Sequence, residues 1–303
     1  MHCQSVSDFK VIFRGVRGSH AMPGAGTIRY GGNTTCIEIR AGDRLIVLDA
    51  GTGIISLGKE LLKDHFGHGA NLDCTILLTH MHHDHNEGLP FFQPMYVGTS
   101  RVSIFGPEPL EENIGTVLFQ SPYFPVELRE LPALKFLQSL KISDTVVFNK
   151  GVPQLVNSVR TPVEFSDDQV YVRFQKCKAH PKDGVYIYRV NYRGKSVSFC
   201  TDVEGYAGGD ARLIRFVEGS DLLIHDAQYT AEDYAGGAVP KQGFGHSTPE
   251  MAMDVARQAK VKQLACTHHD PDSTDDILDE MEKKAQKEMP NCFFAKEGMV
   301  VEL

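Results

Sequence analysis

Thr79-His80-Met81-His82-His83-Asp84-His85 gathers four imidazoles and a carboxylate within six residues. Histidine is rare overall, and such a cluster would be costly to desolvate in a packed core and improbable by chance on a surface. Metal ligation is the economical reading. In extended or loop backbone His80 and His82 point the same way and can share one ion, while Asp84 and His85 turn toward a second. Nitrogen and carboxylate donors without thiolate suit Zn²⁺ first, with Mn²⁺ or Fe²⁺ as alternatives.

Just before the cluster lies an apolar run, 75–78, and before that an amphipathic stretch, 54–63, with Leu57, Leu61 and Leu62 on one helical face. Upstream, strand-like segments at 11–14, 34–40 and 45–48 include a pair joined by the turn Ala41-Gly42-Asp43-Arg44. Downstream the pattern repeats, with strands at 170–177, 184–190, 196–201, 222–225 and 263–267 and a helix at 211–218. Ser247-Thr248-Pro249-Glu250 reads as a helix cap with proline in the first turn, opening a helix to about 261. A capped helix at 273–288 and a closing strand pair at 292–301 complete the chain. The middle, 91–169, offers one helix candidate at 110–119 and a proline-interrupted patch, 121–125. Strands in two runs interleaved with helices predict an α/β architecture of sheets covered by helices.

Distant chain supplies the further ligands a metal needs. Polar residues at strand ends are the candidates: Asp49, His180, Asp202, His225, His246 and His268. His65, His68, His83 and His269 are read as solvated or supporting groups. Tyr206 and Tyr234, near Gly208-Gly209 and Gly236-Gly237, could rim a pocket on which a base stacks, although ordinary loops explain them more simply.

Composition narrows the class. An apolar fraction of 42% and a charged fraction of 23% are ordinary for a globular chain, and 303 residues can form one domain, taken as 1–303. The seven cysteines stand singly with no C-x-x-C pair, which suits buried reduced thiols. A polar start and no apolar run near the roughly 18 residues of a membrane span predict a soluble, cytoplasmic protein without membrane partners. The net charge of −8 argues against broad attraction to nucleic acid.

The motif His80-x-His82-x-Asp84-His85 after an apolar strand, preceded by Asp49-Ala50-Gly51-Thr52-Gly53 and followed by His180, Thr201-Asp202 and Thr267-His268, resembles the metallo-β-lactamase superfamily. The resemblance implies a four-layer αββα sandwich, two mixed sheets flanked by helices, with a two-metal site at one edge. It places His80, His82 and His180 on the first ion and Asp84, His85 and His268 on the second, bridged by Asp202. Asp49 would orient a ligating imidazole without touching metal, and His225 would support the site from outside the ligand set. His82 in place of glutamate favours hydrolysis over redox chemistry, and Asp202 in place of cysteine or serine disfavours β-lactam hydrolysis.

The closing series His225-Asp226-Ala227-Gln228-Tyr229, Gly245-His246-Ser247-Thr248 and Thr267-His268 is similar to that of ribonuclease Z and its small phosphodiesterase relatives. In that branch the acidic residue at the Asp226 position orients the histidine at the His246 position toward the leaving oxygen. Here Asp226 replaces the usual glutamate and Gln228 the usual threonine. Arg17-Gly18-Ser19 and Tyr30-Gly31-Gly32-Asn33-Thr34-Thr35-Cys36 look like the branch's amino-terminal loop and strand. The glycine- and proline-rich tRNA-binding arm is not found. The implied activity is therefore a binuclear phosphodiesterase acting on cyclic nucleotides or other small phosphodiesters. A metal-bridging hydroxide would attack, Asp84 would assist it, and His246 with Asp226 would serve the leaving oxygen. Three rivals are kept: tRNA 3′ processing, with RNA as partner; a glyoxalase-II-type thioester or acyl hydrolase; and a non-catalytic metal-containing binding module. A homodimer is left open.

Overall fold

Phe9, Val11 and Phe13 alternate with Lys10, Ile12 and Arg14, and the first strand, β1 (Phe9–Gly15), fully buries the first set and leaves the second partly exposed. The structure, a computed structural model, describes residues 8–149, 152–160, 164–206, 208–236 and 239–303. Cys3 and Gly237 lie outside the described residues. Strands β2 (Cys36–Ala41) and β3 (Arg44–Leu48) form the expected hairpin, with Gly42 in left-handed backbone at the turn (φ 58°). Helix α1 (Ile54–His68) outruns the expected 54–63, because the chain stays helical until Gly69 (φ 69°) donates its N–H to the Asp64 and His65 carbonyls.

Strands β4 (Asp73–Leu77), β5 (Arg101–Gly106) and β6 (Leu134–Ser139) extend this sheet in parallel, giving the order β15-β1-β2-β3-β4-β5-β6 with β15 (Val300–Glu302). Between β5 and β6 the expected helix 110–119 is a short α2 (Leu110–Asn113) running into a π-helical turn, Ile114–Leu118. The second sheet begins with β7 (Asp144–Phe148), β8 (Gln154–Asn157), β9 (Val170–Cys177), β10 (Val185–Tyr192) and β11 (Lys195–Cys200). Helices α3 (Ala211–Val217) and α4 (Ala231–Ala235) flank β12 (Leu222–Asp226), and α5 (Pro249–Gln258), β13 (Gln263–Thr267), α6 (Asp275–Glu288) and β14 (Cys292–Phe294) follow. Their order is β14-β13-β12-β11-β10-β9-β7-β8, parallel from β11 to β14 and antiparallel beyond.

Two expectations are corrected. Helix α5 stops at Gln258, short of 261, because Lys260 takes left-handed backbone (φ 53°) before β13. The segment 292–301 is not a strand pair: β14 joins β13 while β15 joins β1, so the terminus borders both sheets. The α5 cap is as read, with the Thr248 hydroxyl accepting the Met251 N–H and Pro249 in the first turn.

Three apolar layers define the αββα sandwich. Val11, Ile37, Leu48, Val172, Tyr188 and Ile224 meet between the sheets. Leu57 and Leu61 of α1 cover the outer face of the first sheet. Leu213, Met253 and Leu278, from α3, α5 and α6, cover the second. The six described cysteines are all buried. Among the described residues no helix is long and apolar enough to cross a membrane.

Candidate metal centre

The polar residues singled out in the sequence gather at strand ends, most of them the ends of parallel strands, the edge at which open α/β sheets present their chemistry. Asp49 follows β3, His80 follows β4, His180 follows β9, Asp202 follows β11, Asp226 ends β12 and His268 follows β13. Three of these turns are strained, since Asp49 (φ 60°), Asp202 (φ 53°) and His268 (φ 61°) hold left-handed backbone without being glycine. The strain turns each side chain out of its strand and into a common space.

Two groups of donors form there, each within 4.8 Å: His80, His82, His180 and Asp202, and Asp84, His85 and His268. Asp202 reaches both. Its Oδ2 lies 3.6 Å from His80 Nε2 and 3.9 Å from His180 Nε2, while its Oδ1 lies 3.1 Å from His85 Nε2 and 3.2 Å from His268 Nε2. Asp84 Oδ2 is 3.1 Å from both His85 Nε2 and His268 Nε2.

The imidazoles are held in one tautomer by what their outer nitrogens touch. His85 Nδ1–H donates to Asp49 at 2.8 Å, His268 Nδ1–H to Gln228 Oε1 at 3.1 Å, and His180 Nδ1–H to the Gly245 carbonyl at 3.3 Å. Thr79 donates its hydroxyl to Asp49 at 2.8 Å, so the same oxygen can accept the His80 Nδ1–H at 3.0 Å. All four Nε2 lone pairs then face inward. Among the described residues the buried Nε2 atoms of His80 and His85 have no hydrogen-bond partner, and His82 Nδ1 and His180 Nε2 face each other at 3.2 Å. Inward lone pairs around shared carboxylates make a donor set that fits divalent metal.

Asp49 therefore serves two candidate ligands at once, directly through His85 and through Thr79 to His80. Burial raises its carboxyl, with the neighbouring His85 opposing. Burial likewise works against ionisation of Asp202 and Asp84, but the imidazoles around them, His268 and His85 foremost, hold both carboxyls well below the usual range.

His246 and Asp226 stand beside the second group. Asp226, His246, Asp202 and His268 also lie within 4.8 Å of one another, yet the Asp226 carboxylate is already committed. Its Oδ1 accepts the Gln228 and Ser247 N–H groups, and its Oδ2 accepts the Asp202 N–H and, at 2.7 Å, the His246 Nδ1–H. That leaves it as a holder of His246. The His246 ring stacks on His268 with centroids 4.9 Å apart, and its Nε2 makes no hydrogen bond among the described residues. Burial disfavours its charged form, but Asp226, with Asp202 and Asp84 behind it, outweighs burial and pushes His246 up to about 9.

His225 is the one expected site residue that stays apart. Strand alternation turns it to the helix-covered face, where its Nδ1–H donates to the Asp226 carbonyl at 2.7 Å and its Nε2 has no partner among the described residues. His83 is exposed, His65 and His68 lie at the far end of α1, and His269 is fully buried against Phe294. Three supporting groups went unread. Gln228 holds His268, the Ser19 N–H donates to Asp84 Oδ2 at 2.8 Å, and Glu204 accepts the N–H groups of Gly243 and Gly245. The signal for Ser19 was the glycine before it: a Cβ on Gly18 would sit 2.3 Å from His268 Nδ1.

The chain matches the family model described as Beta-lactamase superfamily domain over residues 44–269. It is similar to a ribonuclease Z from Thermoplasma acidophilum, at 27% identity over 98% of this chain and 97% of the relative. Among solved structures, a metallo-beta-lactamase fold protein, YhfI from Bacillus subtilis, superposes with a TM-score of 0.65 at 19% identity, covering 97% of this chain and 99% of the other. The short form of human tRNase Z superposes with a TM-score of 0.62 at 19% identity, covering 96% and 98%.

Proposed function

This chain belongs to the beta-lactamase superfamily, as a ribonuclease Z-like, metal-dependent hydrolase, and we propose that it is a two-metal phosphodiesterase, working as one hydrolase unit. The observation that carries this reading is the Asp226–His246 pair, buried beside the metal groups but outside them. Metal binding alone has no use for it. Hydrolysis of a phosphodiester does, because the departing oxygen needs a proton donor or a hydrogen bond.

In this reading His80, His82 and His180 would hold one ion, Asp84, His85 and His268 the other, and Asp202 would serve both, with zinc the first choice for a set of nitrogen and carboxylate donors. Bound divalent ions would supply an activated water and charge stabilisation for the phosphoryl oxygens. The protein does the rest. Asp49 and Gln228 fix the rings, the Ser19 N–H fixes Asp84 beside the attacking side, and Asp226 holds His246 with Nε2 toward the leaving oxygen.

Small nucleotide phosphodiesters are the proposed substrates. Trimming of RNA 3′ ends is the second reading, favoured by the full-length similarity to the Thermoplasma ribonuclease Z. Turnover of bis-p-nitrophenyl phosphate, beside a thioester and a β-lactam, tests the reaction class, with elemental analysis alongside. The expected result is about two ions per chain and hydrolysis of the phosphodiester. Metal-loaded protein that cleaves the thioester, or nothing, overturns the reading. The ratio of kcat/KM for precursor tRNA and a dinucleotide decides between the substrates.

A further inference from the structure

Beyond the metal groups, a cleft of about 780 Å³ opens from His180, large enough for a nucleotide-sized ligand. Lys176, Lys178 and Lys182 line it. The first two stand two residues apart around the end of β9, and the third follows the turn after His180. All three are exposed, and none makes an ion pair among the described residues. Two carboxylates also line the cleft, but Glu204 turns its oxygens into the neighbouring loop, accepting from the Tyr234 hydroxyl at 2.7 Å and from the Gly243 and Gly245 N–H groups at 2.7 and 2.9 Å. Glu204 keeps its charge all the same, so with Asp183 it leaves the three lysines a single positive charge in excess, carried by side chains that extend into the cleft. In a chain of net charge −8, this is a local cationic wall placed against the candidate metal centre.

Tyr206 forms another part of the lining and is 56% exposed, a ring face open to stacking. Lysines for phosphate and an open aromatic for a base are the combination by which proteins hold single-stranded nucleotides.

We propose that this cleft is a second phosphate subsite, taking the phosphate one linkage away from the scissile one while the intervening base rests on Tyr206. The inference rests on the phosphodiesterase reading for the scissile linkage. It narrows the substrate: a cyclic mononucleotide has no second phosphate to place there, whereas a linear nucleotide with a terminal phosphate, or a longer RNA strand, does.

The test is equilibrium binding to metal-loaded protein of a dinucleotide with a hydrolysis-resistant phosphorothioate linkage, prepared bare, 5′-phosphorylated and 3′-phosphorylated, beside a hexanucleotide RNA analogue. One added terminal phosphate should tighten binding at least tenfold at low salt, and K176A/K178A/K182A should erase that gain while binding the bare dinucleotide as before. Tyr206→Ala should weaken all the ligands together. A hexanucleotide that binds tighter than either phosphorylated dinucleotide identifies the next linkage of a strand as the source of the phosphate; equal binding identifies a terminal phosphate. The subsite is refuted if neither phosphate adds affinity, or if the gain survives the triple substitution. Turnover measured in parallel keeps the two ideas separate. Phosphate-dependent binding without hydrolysis of any phosphodiester sinks the enzymatic reading alone, and hydrolysis without phosphate-dependent binding sinks the subsite alone.

Discussion

His246 lies close enough to the donors to be mistaken for a ligand: its ring is 4.9 Å from that of His268, and the full commitment of Asp226 to four N–H donors sets the pair apart. If it serves the leaving oxygen, His246→Ala should lower kcat by about 10² to 10⁴ for a ribose leaving group, much less for p-nitrophenolate, with metal content unchanged. Loss of an ion, or equal slowing of both substrates, would reassign it. Gln228 invites a different measurement. It accepts from His268 Nδ1 and donates to the Ser19 hydroxyl, so Gln228→Ala should weaken one ion by roughly 10- to 100-fold in a chelator competition and leave the other in place. The ligand candidates were legible because histidine and aspartate at strand ends are rare and clustered. Gln228 was not, because an amide that orients a ring carries no spacing of its own, and His225 misled because strand alternation, invisible without the register, turns it away from its neighbour Asp226.

At the scale of elements, every β-strand that delivers the site was readable, and those missed, β5 to β8, all lie in the middle segment 91–169. β13 and β9 fall where alternation and apolar runs put them, at Gln263–Thr267 and Val170–Cys177. β6 shows no fully buried residue and lies at a sheet edge, so no inward face marks it in the sequence. The loop from α4 to α5 makes a sharper test of how an element holds chemistry. Gly245 has φ 93°, and a Cβ there would meet His180 Nδ1 at 2.3 Å, whereas Gly243, at φ 83°, faces open space. Both alanine substitutions incur left-handed strain of roughly 1–2 kcal/mol. Only Gly245→Ala should also push His180 from the first group, cutting metal occupancy and activity while Gly243→Ala keeps both. Equal losses in the two variants would show that backbone strain, not the contact with His180, governs the loop.

On the scale of the whole molecule, fold and site draw on different interactions. Three apolar layers, between the sheets and beneath the helices on either side, are complete without any polar group of the site. The site adds a liability: Asp49, Asp84, Asp202 and Asp226 are four buried carboxylates at one edge, together with three left-handed turns that the core does not relieve. Bound cations would compensate the charge and pin the turns. An ion held at 1,000 times its dissociation constant stabilises the native state by about 4 kcal/mol. At roughly 2–4 °C per kcal/mol, stripping one such ion should lower Tm by about 8–16 °C. The loss should be local in origin. Hydrogen exchange after chelation should speed up in residues 79–86, 202–205 and 245–248, while the amides of β1, β2 and β10, whose ladders lie within the core, keep their protection. Asp202→Ala, which removes the carboxylate common to both groups, should lower the melting temperature toward that of the stripped protein and make it insensitive to chelator. If chelation leaves Tm unmoved, the carboxylates are balanced by the histidines alone and the cluster is not a strong metal site. If protection instead falls evenly across both sheets, the site is part of what holds the sandwich together, and the separation between fold and chemistry argued from the three layers does not hold.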